Sequence, residues 1–197
     1  WSVGCQTALA DAELEYKDIA SPSIYVNFPL EEASAARVRQ MGLADADSTV
    51  CFMIWTTTPW TLAANLAVAL HPHLEYVCLS YKRNGRKWAS IVCKSRLEAV
   101  LAAAGLTEGT YTVSAPRLGS EFRGLRYRHP FVEKNPTDKD AWFAINETFV
   151  TTEDGTGIVH IAPGHGEEDY QAGLNNNLAV YSPVEDDGCY DQSVPAW

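Results

Sequence analysis

Two short stretches of this sequence hold side chains able to do chemistry on a bound ligand. The first is Trp55–Leu62, reading Trp-Thr-Thr-Thr-Pro-Trp-Thr-Leu. Thr56, Thr57 and Thr58 set three adjacent hydroxyls, each both donor and acceptor, between an apolar run and Pro59, which holds Thr58 extended. Such a cluster can grip a ligand or orient a water, and it is also what an ordinary strand end contains. Trp60 offers a flat face for stacking a base, or for packing in a core. The second stretch is Gly155–Asp169, Gly-Thr-Gly-Ile-Val-His-Ile-Ala-Pro-Gly-His-Gly-Glu-Glu-Asp. It places His160 at a strand end. Gly157 and Gly164 let the backbone approach a ligand closely. Glu167, Glu168 and Asp169 open a helix whose first amides can hold an anion or oxyanion. Asp169 can pair with a ligand ammonium. Read singly, each of these residues has an equally good structural explanation.

Several other chemistries find no pattern to support them. His160 and His165 are not spaced as the two histidines of HExxH, which share one helical face. Gly164-His165-Gly166 lacks the lysine of a phosphate loop, no GxSxG elbow occurs, and no serine stands out for a Ser-His-Asp arrangement. The five cysteines are odd in number and contain no CxxC pair. Cys51, Cys78 and Cys93 fall in apolar runs and read as buried, reduced thiols, which favours a reducing compartment. A disulfide or metal role is the alternative.

The net charge of −10 argues against broad binding to a phosphate backbone, so any nucleic-acid role must be local or shared with another part of a larger protein. No apolar run approaches the roughly 20 residues of a membrane span, and no secretory leader is present. A length of 197 residues suggests one domain, and an opening at Trp1 without Met suggests a piece of something longer.

The elements that must position these residues are mostly short strands. Ser23–Leu30 alternates apolar and polar side chains, and Val50–Trp55 is a continuous apolar run typical of a buried strand. Thr61–Ala69 reads as a helical turn or an extended return. Tyr76–Tyr81 and Trp88–Cys93 flank Asn84-Gly85, a strong hairpin cue. Thr110–Ala115, Leu125–His129, Trp142–Val150 and Gly157–Ile161 read as further strands. Ala8–Tyr16 is a short helical or turn segment, and Glu31–Ser48 is a connection with a helical piece. Ser95–Ala104 is a helix capped at Gly105, and Gly166–Leu174 is a third helix. Phe131–Asp140 is a loop. Val180–Val184 and the turn at Asp186-Asp187-Gly188 end the pattern. Strand and helix do not alternate, so a parallel βαβ sheet is not expected. The expectation is a mainly β fold, a β-barrel with helical insertions.

Taken together, Trp55–Leu62 with the following Ala63–Ala69 and Gly155–Asp169 resemble the editing insertion (connective peptide 1, CP1) of isoleucyl-tRNA synthetases. The valyl and leucyl relatives typically carry Arg after the threonine pair, where this chain has Thr58. His160 within Gly-Ile-Val-His is similar to the isoleucyl form. Ala8–Tyr16, Ser23–Leu30 and Val184–Gly188 match the same family. The resemblance therefore spans residues 1–197 as a single editing domain, with 1–20 and 184–197 as connections toward a catalytic core. Ala10–Tyr16 and Tyr127–Pro130 resemble bacterial-type and organellar versions, which implies a bacterial-type cytoplasm or an organellar matrix or stroma.

The resemblance implies a β-barrel editing fold that hydrolyses valine mischarged on tRNA(Ile). Isoleucyl-tRNA synthetase is itself the standing example of an enzyme that needs a second sieve, because one hydrophobic site cannot sufficiently reject a substrate smaller by a methylene. By the same resemblance, Asp169 binds the α-ammonium. Thr57 and Thr58 line the side-chain pocket and hold the ester or the attacking water, with Thr56 in support. Trp60 contacts the terminal adenosine, His160 narrows the pocket against isoleucine, and Asn65 has a supporting polar role. Water attacks the ester while backbone amides stabilise the oxyanion.

The implied partners are the aminoacylated CCA end of tRNA(Ile), valine and the rest of the synthetase chain. The implied state is a monomer with no membrane contact. ATP and Mg belong to the parent's catalytic domain, since no HIGH or KMSKS signature occurs here. Many members carry a CxxC pair near this N-terminus that contributes to a zinc site. Here Ser2 stands in place of the first Cys and Cys5 is alone, so no zinc is expected in this segment. Two competing readings are a non-catalytic module that docks a tRNA end or an amino acid, and an editing domain of valyl or leucyl specificity.

Overall fold

The computed structural model describes residues 1–18, 20 and 22–194. The apolar run before the threonines forms β2 (Thr49–Thr56). Phe52 and Ile54 point into the main core with Phe28, Leu70 and Tyr127, while Met53 joins a second cluster with Leu79, Val92 and Val100. Both faces are covered, which is why the run is continuously apolar instead of alternating. β2 pairs antiparallel with β1 (Ile24–Pro29), bringing Ile24 beside Thr56 and Tyr25 beside Trp55. On its other side it pairs with β5 (Arg86–Cys93). β5 and β4 (Glu75–Arg83) form the hairpin predicted at Asn84-Gly85, with φ of 52° and 74° at the two turn residues. β6 (Tyr111–Val113) and β7 (Arg117–Leu118) both pair with β4, completing a six-stranded sheet.

A second sheet has three strands in the order β8 (Phe143–Asn146), β3 (Ala67–Leu70), β9 (Ile158–Ile161). β3 is buried throughout. Val68 and Leu70 face the main core, and Ala67 and Ala69 face a cluster built with Ile145, Ile161, Ala172 and Leu178. Pairing of β3 with β9 sets Val68 opposite His160.

Three helices pack on these sheets. α1 (Glu32–Gln40) buries Ala35 and Val38. α2 (Leu97–Ala104) buries Val100 and Leu101 and ends, as predicted, on Gly105 in the left-handed conformation. α3 (Glu167–Asn175) follows β9. The Thr61–Ala69 segment contains both readings in turn: a 3₁₀ helix at Pro59–Ala64, then β3.

The architecture departs from the sequence expectation in several places. The sheets are mixed, because β2 runs parallel to β5 and β3 parallel to β8. No continuous ladder closes the strands into a barrel among the described residues; the sheets meet through isolated bridges, Leu30 with Tyr127 and Arg126 with Phe143. Leu125–His129, expected as a strand, divides its bonds between two neighbours: Tyr127 N–H donates to Trp142 and Arg128 N–H to Pro29. Pro130, which has no N–H, follows at once. Val180–Val184 contributes only the bridge of Val184 with Tyr190.

The first segment and the last meet, with Trp1 Nε1–H donating to the Asp186 carbonyl at 3.0 Å. Of the two segments expected as connections, Ile19 and Pro195–Trp197 lie outside the described residues. No helix among the described residues is long and apolar enough to cross a membrane.

Candidate editing cleft

The end of β2, the end of β9 and the start of α3 enclose a cleft of about 300 Å³ lined by Thr56, Thr57, Thr58, Gly157, His160 and Asp169. Two stretches about a hundred residues apart in sequence are thereby joined. The first wall is shaped by its own hydroxyls. Thr56 Oγ1 accepts the Thr58 N–H at 3.0 Å and lies 3.2 Å from Thr58 Oγ1, so the chain turns sharply as the strand stops. Pro59 then starts the 3₁₀ helix, where its missing N–H is no loss. Thr56 is buried, and Thr57 and Thr58 are exposed to the cleft. Thr61 Oγ1 lies 2.9 Å from the Thr58 carbonyl and 3.1 Å from His160 Nε2, tying the threonine turn to β9.

On the second wall His160 is 8% exposed. Burial, with His129 and His165 nearby, holds its pKa down to about 4, so the ring is neutral near pH 7. Its Nδ1 has no protein hydrogen-bond partner among the described residues. Asp169 is the third residue of α3. Its Oδ2 accepts the Ala162 N–H at 2.9 Å across the Pro163–Gly166 turn. Burial pushes its carboxyl above the usual carboxylate range, and the Ala162 bond opposes that shift. A half-buried carboxylate that lines a cleft with one oxygen engaged suits a cationic ligand.

The glycines are there for space. Gly157 has φ +71°, and a Cβ on it would stand 2.3 Å from Cys93 Cβ. A Cβ on Gly164 would stand 2.3 Å from the Tyr181 carbonyl oxygen, so Gly164 packs against the 181–182 segment and does not line the cleft.

Two more predicted site residues sit outside the cleft. Trp60 is 50% exposed, meets His165 edge-on at 5.4 Å, and its carbonyl accepts the Tyr190 hydroxyl. Asn65 is 1% exposed and its side chain is engaged within the scaffold: the amide nitrogen donates to the Ala67 carbonyl at 2.8 Å and the amide oxygen accepts the Tyr127 hydroxyl at 2.6 Å.

Sequence reasoning did not single out Trp55, Thr151, Asp154 or Thr156, which also line the cleft. It also overlooked Arg96. The Arg96 guanidinium donates to the carbonyls of Glu153 at 2.9 Å and Gly155 at 3.1 Å, pinning the loop that forms one rim. No local pattern marks a basic residue as the anchor of a loop 57 or more residues away, though the arginine's position just before a helix was readable.

At the other end of the chain Cys5 is exposed and its N–H lies 3.4 Å from Ser2 Oγ. Among the described residues no group of three or more His, Cys, Asp or Glu is gathered as a metal site would need.

No protein-family model matches the chain. Curated relatives do. The isoleucine–tRNA ligase of Methanopyrus kandleri is 41% identical over 199 residues, covering 98% of this chain and 18% of the relative. That of Nitratidesulfovibrio vulgaris is 44% identical over 190 residues, covering 96% and 19%. That of Pyrococcus furiosus is 42% identical over 199 residues, covering 96% and 17%. The chain thus spans less than a fifth of the length of these relatives.

Among solved structures, the editing domain of the P. knowlesi cytosolic leucyl-tRNA synthetase superposes with a TM-score of 0.59 at 15% identity, over 80% of this chain and 65% of that one. The corresponding P. falciparum domain superposes with a TM-score of 0.56 at 15% identity, over 80% and 70%. At such identity the likeness establishes the fold. The chain therefore belongs to the isoleucine–tRNA ligase family, matching one stretch of those enzymes, and has the fold of a synthetase CP1 editing domain.

Proposed function

We propose that the cleft between Thr56–Thr58 and Asp169 is a post-transfer editing site that hydrolyses the ester of valine mischarged on tRNA(Ile). The observation that carries this reading is the convergence of three hydroxyls and one half-buried carboxylate on a cleft sized for a small amino acid. Asp169 receives the α-ammonium. Thr57 and Thr58 line the side-chain pocket and hold the ester or the water, and Thr56 fixes the turn that presents them. His160 narrows the pocket so that isoleucine does not fit. Trp60 contacts the terminal adenosine. Gly157 lets the backbone approach the ligand, and Gly164 and Asn65 support the two walls.

In the reaction a water oxygen bonds to the ester carbonyl carbon, and the bond from that carbon to the ribose oxygen breaks. The ribose oxygen takes up one of the water's protons, the other passes to solvent, and valine leaves as its carboxylate. Backbone amides at the cleft stabilise the tetrahedral oxyanion. His160, held to a pKa of about 4, is a weak base at neutral pH, and the reading assigns no protein general base.

The same proposal gives the chain's partners as the aminoacylated CCA end of tRNA(Ile), valine and the remainder of the synthetase, in bacterial-type cytoplasm or an organelle, with the segment itself monomeric. It assigns no cofactor or zinc to the segment and leaves ATP and Mg to the synthetic site of the parent.

Valyl-tRNA(Ile) incubated with the chain, and with its full-length parent, tests the proposal. Release of free valine faster than the uncatalysed rate supports hydrolysis. Saturable binding of the tRNA end without release identifies a docking module instead. Preferential clearance of threonyl-tRNA would point to valyl-type specificity.

A further inference from the structure

A second cleft, of about 720 Å³, opens on the larger sheet beside the first. Tyr25 is the register partner of Trp55 and Asn27 that of Met53. Alternate residues of a strand share a face, so these four side chains lie on one face of the sheet. Trp55 lines the first cleft, and Tyr25, Asn27 and Met53 line the second; Met53 and Trp55 are about 7 Å apart along β2.

The charge around this second cleft is unlike that of the chain as a whole. Residues 82–87 hold four of the chain's 15 Lys and Arg, in a protein of net charge −10. Lys82 stands opposite Lys87, and Arg83 opposite Arg86. Like charges directly opposite one another in a hairpin are unfavourable unless something neutralises them. For the lysine pair something does: Lys87 Nζ lies 2.5 Å from Asp47. Arg83 and Arg86 are exposed at the mouth of the cleft, their side chains have no hydrogen bond or ion pair among the described residues, and they share the cleft with no Asp or Glu. The cleft also presents two flat faces, the exposed Tyr25 ring and the half-buried Trp88 indole. Its floor is polar, with Asn27 Nδ2 donating to Tyr81 Oη at 3.1 Å and Asn27 Oδ1 accepting from Ser90. Paired guanidinium groups beside aromatic faces are the combination that tracks a nucleic-acid single strand, phosphates on the cations and bases on the rings.

We propose that this cleft binds the single-stranded RNA that leads into the editing cleft, with Arg83 and Arg86 on its phosphates and Tyr25 and Trp88 flanking a base. The proposal rests on the editing reading for the direction in which the strand runs. It also reconciles an acidic chain with an RNA substrate, because four of the 15 Lys and Arg gather at one hairpin tip.

The test is binding of a labelled single-stranded RNA ending in CCA to the chain, measured by fluorescence anisotropy over a range of salt. R83Q/R86Q is expected to weaken binding at least about tenfold and to flatten the salt dependence by a slope of about 1.4, the value for two phosphate contacts on a single strand. Tyr25→Ala is expected to weaken binding about fivefold or more with the salt slope retained, as stacking requires. Both variants should hydrolyse a valyl ester of adenosine alone at the rate of the unmodified chain, because that substrate does not reach the hairpin. Unchanged RNA affinity and salt slope in R83Q/R86Q overturn the proposal, as does the absence of measurable RNA binding by the unmodified chain. Failure of the unmodified chain to hydrolyse the adenosine ester overturns the editing reading instead, so the two failures are separable.

Discussion

Thr61 Oγ1 lies 2.9 Å from the Thr58 carbonyl and 3.1 Å from His160 Nε2. A hydroxyl carries one hydrogen, and a carbonyl can only accept. The Thr61 hydrogen therefore goes to Thr58, His160 Nε2–H donates to Thr61, and the Nδ1 lone pair is left without a protein partner. This assignment of the tautomer follows from hydrogen-bond accounting. One hydroxyl thus sets both the threonine turn and the orientation of the residue assigned to the sieve.

Thr61→Val removes that link and leaves the His160 Nε2–H without its partner, while the Thr58 carbonyl keeps only the Thr61 N–H. The expected cost is about 1–3 kcal/mol, read as a lower midpoint in urea unfolding. A loosened His160 should also admit larger side chains, so hydrolysis of isoleucyl-tRNA should rise relative to valyl-tRNA. Thr61→Ser, which keeps the hydroxyl, should restore both properties. Unchanged selectivity in Thr61→Val would separate His160 from the sieve.

The role proposed for Asp169 sets function against stability. Its carboxyl is pushed above its usual range chiefly by burial. A folded pKa raised above the unfolded value means that the carboxylate form is disfavoured by folding, so its contribution is favourable at low pH and lost as pH rises through the folded pKa. Asp169→Asn, which can still accept the Ala162 N–H, should therefore match or exceed the thermal midpoint of the parent at pH 7. The same variant should lose ester hydrolysis by about a hundredfold or more, since the ammonium loses its charged partner. A variant both active and less stable would contradict both halves of the argument.

The pH dependence of stability should be set in part by two histidines. His129 Nε2 lies 2.8 Å from the Leu62 carbonyl, and its Nδ1 accepts the N–H groups of Phe131 and Val132, an arrangement that uses the neutral ring completely. Burial holds the pKa of His129, like that of His160, down to about 4 from 6.5. With the folded pKa below the unfolded one, the unfolded chain binds the extra proton between pH 6.5 and about 4. Stability is full above that window and falls as pH drops through it, by on the order of 3 kcal/mol for each ring. Urea unfolding at pH 7 and pH 4.5 measures this. Equal unfolding free energies at the two values would contradict the buried neutral assignment.

Thiol chemistry gives an independent check on the core. Cys51, Cys78 and Cys93 are buried, and burial raises the Cys51 thiol to about 12 and the Cys78 thiol further. Only Cys5 and Cys189 are exposed. A maleimide reagent at pH 7 should modify these two in the folded chain and the other three only after denaturation. Cys189 should lag behind, because Asp187 beside it raises its pKa. Rapid modification of a third thiol would show that the sheet interior is open.

What the sequence conveyed about this fold is what local pattern encodes. The continuous apolar run of β2, the Asn84-Gly85 turn and the Gly105 cap each follow from backbone chemistry within a few residues. The parallel pairings of β2 with β5 and β3 with β8 were not legible, because they depend on which buried strands meet and no spacing rule specifies that. Leu125–His129 alternates like a strand, yet it shares its bonds between two neighbours and stops at Pro130. Within the site, Thr56–Thr58, Gly157, His160 and Asp169 were visible because each had a chemical type suited to a ligand. Asn65 also has a polar side chain suited to a ligand, but it is buried and bonded to Ala67 and Tyr127 inside the scaffold. Arg96 was invisible because its role is to hold the distant carbonyls of Glu153 and Gly155.

The central claim is that the free oxygen of Asp169 receives the ammonium of an aminoacyl ester seated against Thr57 and Thr58. A crystal structure of the chain with a non-hydrolysable valyl-adenosine analogue measures this contact directly. The account predicts the analogue's nitrogen about 2.8 Å from Asp169 Oδ1, within the range of a charge-assisted bond, with the valyl side chain against the threonines. An analogue bound with its ammonium turned to solvent or seated on another carboxylate, or one bound outside this cleft, would contradict it.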